Sequence, residues 1–265
     1  MYNKLTLAKK WWHYYRTASN GLGHGIHSPF IFDFVKNVLN DTRDFYAFNP
    51  IEGLRQQLKH DNRTIHVDDL GAGSRTSKSN ERTVSQIAKH SLKSKKLAQL
   101  LFRMVNYYQP NVILELGTSL GLTTAYLAAA NGSGKVFTIE GAPAIASIAK
   151  KNFHQLNLYN TQLLEGGFDS VLPMILEKIG KVDFVFVDGN HRKEPTLRYF
   201  DLFLKHSTPQ TILVFDDIHW SEEMESAWKI IQENPTVTCT VDLFFLGLVF
   251  LRNDFKAKQH FTIRF

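Results

Sequence analysis

A single cysteine, Cys239, among 265 residues leaves no partner for an internal disulfide. That suits a chain kept in a reducing cytoplasm. Cys239 falls in a late strand-like run and reads as a small buried apolar residue. Long apolar runs are also missing. A bilayer-spanning helix needs about 20 apolar residues, and the longest run here, Leu243–Leu251, is only strand length. The opening stretch, MYNKLTLAKKWWHYY, lacks the continuous apolar core and small-residue cleavage site of a secretory leader. A cytoplasmic location without a membrane partner is the expectation.

Charge is unevenly spread. Residues 1–110 carry 17 Lys and Arg against 8 Asp and Glu, whereas residues 111–265 carry 14 against 17. A basic first third can steer an acidic ligand or nucleic acid. Because its cations are scattered, it also fits an ordinary solvated face.

Residues 1–94 read as a mainly helical and irregular extension, and residues 95–265 as the main domain. Trp11, Trp12, Tyr14 and Tyr15 cluster beside Lys9, Lys10 and Arg16. A glycine-rich loop follows, with His24 and His27, and Ser28-Pro29 gives a helix N-cap and first position. Phe30, Ile31, Phe34, Val35 and Val38 then recur at helical spacing. The two loop histidines can touch a substrate or metal, or serve in capping and packing. Asp69-Leu70-Gly71-Ala72-Gly73 looks like a strand end entering a glycine turn. No acid-ended second strand follows at the distance a dinucleotide site requires, so it reads as a local loop. Val84–Tyr108 reads as a basic amphipathic helix whose core stripe is Leu97, Leu100, Leu101, Met104 and Val105.

From residue 111 the pattern is regular. Strands are expected at 112–116, 135–140, 161–165, 182–188 and 211–216, each followed by a helix. Two more, 237–241 and 244–251, close without a helix between them. Alternating short apolar strands and helices imply an α/β, doubly wound, seven-stranded sheet with the last strand antiparallel. In such a sheet, ligands bind beyond the carboxyl ends of the strands. Those ends are Glu115 with Gly117, Glu140, Glu165 to Gly167, Asp188, and Asp216 with Asp217. Glu140 lies 23 residues after Gly117, where a carboxylate can accept from ribose hydroxyls.

The stretches ILELGTSLGLTT, VFTIEGAP, LLEGGFDSVLP, VDFVFVDGNH and ILVFDDIHW resemble the class I S-adenosylmethionine-dependent methyltransferases, with a Rossmann-like fold. They are most similar to the metal-dependent O-methyltransferases, the catechol type and bacterial small-molecule relatives, over about residues 95–252. The resemblance implies that Glu115, Gly117 and Gly121 line the methionine end of the cofactor, with Thr118 and Ser119 in the same turn. It implies that Thr123 holds the carboxylate, that Glu140 beside Gly141 binds the ribose, and that Gly167 and Phe168 flank the adenine. Asp188, Asp216 and Asp217 would hold Mg²⁺ or another divalent cation, and Asp188 would also border the cofactor. His191, three residues after Asp188, would be the general base. The catechol type has Asp-Asn where this chain has Asp216-Asp217, a pair similar to sugar- and antibiotic-tailoring relatives, which counts against catechol.

Three carboxylates on two strand ends make a hard-oxygen site suited to Mg²⁺, and a histidine near neutrality can take a hydroxyl proton. Metal-assisted O-methylation of a small-molecule hydroxyl is the leading expectation, with Trp11, Trp12, Phe30 and Trp220 as aromatic neighbours of the acceptor. His219-Trp220 stands where it can line that pocket. The alternatives are an RNA or protein methyltransferase guided by the basic third, and a cofactor-binding module without catalysis. Relatives of this kind often dimerise, so a homodimer is a further expectation.

Overall fold

Apolar runs of four to six residues bounded by turn residues can bury both faces only as inner strands covered by helices. A computed structural model of the chain describes residues 1–23, 26–67 and 81–265. The Asp69–Gly73 turn and His24 lie outside the described residues.

In chain order the elements are α1 (Lys4–Thr17), α2 (Pro29–Phe34) running into a π-helical turn (Val35–Leu39), α3 (Phe48–His60), β1 (Thr64–His66), β2 (Glu81–Thr83), α4 (Val84–Ser91), α5 (Lys95–Tyr108), β3 (Val112–Leu116) and α6 (Leu122–Ala130). They continue with β4 (Lys135–Glu140), α7 (Pro143–Gln155), β5 (Thr161–Glu165), α8 (Phe168–Ile179), β6 (Phe184–Val187), α9 (Lys193–Lys205), β7 (Ile212–Asp216), α10 (Glu222–Glu233), β8 (Cys239–Asp242), β9 (Leu246–Phe250) and β10 (Gln259–Thr262). The fold is α/β, with a mainly parallel central sheet of eight strands, β3 to β10.

Packing divides the chain into two compact units, Met1–Asp41 with Gly180–Phe265, and Thr42–Ile179. In the first unit the strands run in the order β10-β8-β9-β7-β6. Strand β6 is parallel to β7, β9 is antiparallel to both β7 and β8, and β10 is parallel to β8. The antiparallel strand of the expected seven is therefore β9. The count of seven is corrected by β10, a short edge strand registered residue for residue on Cys239–Asp242. Cys239 is fully buried, and burial pushes its thiol up to about 12. In the second unit β3, β4 and β5 are all parallel, in that order.

Helix starts follow the local chemistry. Ser28 accepts the Ile31 N–H and Pro29 occupies the first helical position. The stretch expected as one helix over 84–108 is two. Thr83 and Gln86 form a capping box for α4, and Ser94 caps a fresh helix by accepting the Leu97 N–H. Among the described residues no helix is long and apolar enough to cross a membrane.

Candidate active site

In the second unit the turn after β3 is fastened to the end of β4. The Gly117 and Thr118 N–H groups both donate to the Ile139 carbonyl, at 3.1 and 3.2 Å. Gly117, Ser119 and Gly121 all have positive φ, at 97°, 48° and 80°. Gly121 precedes the first residue of α6, and a Cβ there would stand 2.5 Å from the Phe153 ring. Glycine is thus required twice at this position, for its backbone angle and for its contact with α7.

Glu140 is the hinge of this turn. Its Oε2 accepts the Ser119 N–H at 2.8 Å and its Oε1 accepts the Ala142 N–H at 3.0 Å. Ser119 Oγ is buried and meets no hydrogen-bond partner among the described residues. Gly141, Gly167 and Phe168 are half-buried in the turns that follow β4 and β5. The Gly166 N–H joins those two turns by donating to the Glu140 carbonyl at 2.9 Å.

Glu115 lies deeper. It is fully buried, and its Oε2 accepts from the hydroxyls of Thr124 and Thr138. Thr118 and Thr138 share a further hydroxyl bond at 2.6 Å. These contacts make Glu115 a support beneath the turn. Thr123, one residue before Thr124, is buried in the first turn of α6.

In the first unit the parallel neighbours β6 and β7 end side by side. Asp188 follows β6, Asp216 ends β7, and His191 lies in the loop after Asp188. One ligand atom from each of Asp188, His191 and Asp216 falls within 4.8 Å of the others. His191 Nε2 is 3.7 Å from Asp188 Oδ1. Asp217 is outside this trio. It turns the chain with φ 54°, its N–H donates to the Phe245 carbonyl at 2.7 Å, and its carbonyl accepts the Trp220 N–H at 2.9 Å.

The loop that follows is tied to α1, a linkage with no local signal in the sequence because its members lie more than 200 residues apart. The Tyr2 N–H donates to the Trp220 carbonyl at 3.0 Å. Glu225 accepts from Tyr2 Oη at 2.7 Å and from Lys10 Nζ at 3.0 Å. His219 bridges Glu225 and Asp242, with ring nitrogens 3.0 and 2.8 Å from their oxygens, and stacks on Phe244. Both ring nitrogens face carboxylate oxygens, a setting that favours the imidazolium, the form that donates from both. Burial lowers the His219 pKa, but Asp242 and then Glu225 outweigh it and hold the pKa above its ordinary value. Tyr14, on the same helix, packs against Phe244 and donates to the Ile263 carbonyl. Phe30 meets Phe250 and Phe255 edge-on in the first unit. Trp11, Trp12 and His27 are exposed.

Burial pushes the Glu225 carboxyl up, but hydrogen bonds from Tyr2, Lys10 and His219 prevail and hold it below its ordinary 4.5. A depressed folded-state value gives stability that is complete above the unfolded pKa and is lost as pH falls through the folded one. The melting temperature is therefore expected to drop as pH falls below about 4.5. Glu225→Gln should flatten that acid limb, and an unchanged limb in melting curves from pH 6 to 3 would remove Glu225 from its cause.

Residues 114–218 match the family described as a methyltransferase domain. The fold is that of the class I methyltransferases. A crystal structure of an O-methyltransferase from Bacillus cereus in complex with SAH aligns with a TM-score of 0.55 at 21% identity, over 83% of this chain and 96% of that one. O-methyltransferase imqG of Aspergillus flavus is 29% identical over 127 residues, 46% of this chain and 48% of that protein. A tRNA (guanine-N(7)-)-methyltransferase of Mycoplasma mobile is 28% identical over 109 residues, 39% and 54% of the two chains. The chain spans about half the length of these curated relatives.

Proposed function

We propose that the chain transfers a methyl group from S-adenosylmethionine to a hydroxyl of a small-molecule acceptor, with a divalent cation held by the first unit. The observation that carries this reading is the convergence of Asp188, His191 and Asp216 at the paired ends of β6 and β7. Two ligand atoms each about 2.4 Å from one ion stand at most about 4.8 Å apart, so the trio fits one coordination sphere with little adjustment. Two carboxylates with one imidazole suit Mn²⁺ better than an all-oxygen Mg²⁺ site. On this reading His191 is a ligand and not the general base that the resemblance implies, and Asp217 shapes the loop.

On the cofactor side, Glu140 supports the reading. A carboxylate at the end of β4 suits the vicinal hydroxyls of a ribose, and buried Ser119 Oγ offers a further polar contact. When bound, S-adenosylmethionine would supply the methyl group to the acceptor oxygen and leave as the neutral thioether. The hydroxyl proton passes to solvent. A bound cation would lower the pKa of that hydroxyl so that it reacts near neutral pH. The residues of this chain orient and hold. Glu115 keeps the glycine turn in shape from below, and Glu140 fixes it from the side.

Thermal unfolding with SAH, with and without Mn²⁺, tests both parts. A ligand at about 100 times its dissociation constant stabilises a fold by about 2.7 kcal/mol. SAH should raise the melting temperature, and Mn²⁺ should raise it separately. Asp216→Asn should weaken Mn²⁺ binding at least tenfold, read from the free-Mn²⁺ paramagnetic resonance signal, while leaving SAH affinity within twofold. His191→Ala should weaken Mn²⁺ as well. If it leaves the affinity intact and only slows methyl transfer, His191 is the base after all. No response to SAH from a folded sample would overturn the reading as a whole.

A further inference from the structure

Helix α1 has two apolar faces, and among the described residues only one of them is packed against the protein. The inward face is anchored by Tyr14, by Leu7 packed against the Tyr14, Ala18 and Phe244 cluster, and by the Lys10–Glu225 ion pair. The outward face carries Leu5, Ala8, Trp12 and Tyr15 at helical spacing, with Trp11 at its margin. Leu5 is 76% exposed and Trp12 57%. Isolated exposed apolar residues are unremarkable, but a contiguous stripe on a well-anchored helix marks an interaction surface. Lys4, Lys9 and Arg16 are exposed on this helix, which has no acidic residue. The Arg264 guanidinium adds a fourth cation, 4.3 Å over the Tyr15 ring.

We propose that the outward face of α1 docks on an anionic lipid bilayer. Tryptophan and leucine flanked by Lys and Arg, with no opposing acid, form the surface that enters the headgroup boundary of a negatively charged leaflet. The competing anion is single-stranded nucleic acid, and ring geometry separates the two. A base needs an open ring face on which to stack. The Tyr15 ring is stacked with Trp11 at 5.2 Å and 22° and lies near-parallel to Trp12 at 6.3 Å, and Arg264 covers it too. A Tyr15 ring covered in this way, beside an aliphatic Leu5 that is 76% exposed, suits insertion among acyl chains better than stacking with bases. The arrangement is interfacial. It needs no spanning segment and so no long apolar run.

Co-sedimentation of the full chain with vesicles tests this. Vesicles of phosphatidylcholine with roughly 30% phosphatidylglycerol, whose anionic headgroups attract Lys and Arg near the surface, should bind at least tenfold more tightly than phosphatidylcholine alone. Binding should weaken as salt is raised. Lys9→Glu with Arg16→Glu should reduce it at least tenfold, and so should Leu5→Ser with Trp12→Ser. All four positions are exposed, so melting temperatures should hold, and a circular dichroism melt checks that. Equal binding to neutral and anionic vesicles, or binding to neither, overturns the proposal. So does binding of a single-stranded RNA oligomer, lost in the same variants, with no vesicle binding.

Discussion

Glu140→Ala is expected to weaken SAH binding by at least about 100-fold, which corresponds to about 2.7 kcal/mol. Two losses add. On the proposed reading the ribose hydroxyls lose a charged acceptor, and hydrogen bonds to charged groups are worth roughly 1.5–3 kcal/mol each. The Ser119 and Ala142 N–H groups lose their shared carboxylate, so the turn between β3 and α6 keeps its Gly117 and Thr118 bonds to the Ile139 carbonyl but loses its Ser119 bond to the end of β4. Glu140→Gln separates these effects. The amide keeps one acceptor oxygen but sets an NH₂ against a backbone N–H, so binding should fall by an intermediate amount. Calorimetric titration with SAH reads both variants. An alanine variant that binds within threefold of the parent would show that the Glu140 carboxylate does not face the cofactor.

Gly121→Ala should cost about 2–4 kcal/mol of stability, the sum of a side chain forced to φ 80° and a methyl pressed into a filled space. In a protein of this size that is a fall of roughly 5–15 °C in melting temperature. The methyl would sit 2.5 and 2.9 Å from two Phe153 ring carbons and 3.2 Å from the Ala149 Cβ, so α7 would have to move. Phe153→Leu alone should destabilise by making a small cavity, but combined with Gly121→Ala it should recover part of the loss. A double-mutant cycle in urea would measure the coupling. A single-variant loss below about 0.5 kcal/mol, the size of an ordinary surface change, would mean that the ring swings aside and that only the backbone angle matters.

The strands and helices between 112 and 216 were largely legible because each buried strand is a short, nearly continuous apolar run. β3, β4 and β5 match the expected bounds residue for residue. β10 was not legible. Gln259–Thr262 alternates half-buried and exposed positions and becomes a strand only by pairing with β8. The break between α4 and α5 was hidden because Ser94 starts a new helix without disturbing the apolar spacing on either side. At the site, the acid-ended strands could be seen in the sequence. Which of two adjacent aspartates joins Asp188 could not. That depends on the left-handed turn at Asp217, which sends its chain away after the last strand residue. The Tyr2, Lys10, Glu225, His219 and Asp242 linkage was invisible, since only the tertiary fold brings residue 10 to residue 225.

Cys239 is the sole thiol in the chain, wholly enclosed and hard to ionise. Thiolate is the reactive form, so maleimides and disulfide probes should find no background target in the native protein. A cysteine placed at Leu5 or Trp12 would then be the single labelled position. A polarity-sensitive dye attached there would report directly whether that face meets lipid, free of any competing signal from the rest of the fold.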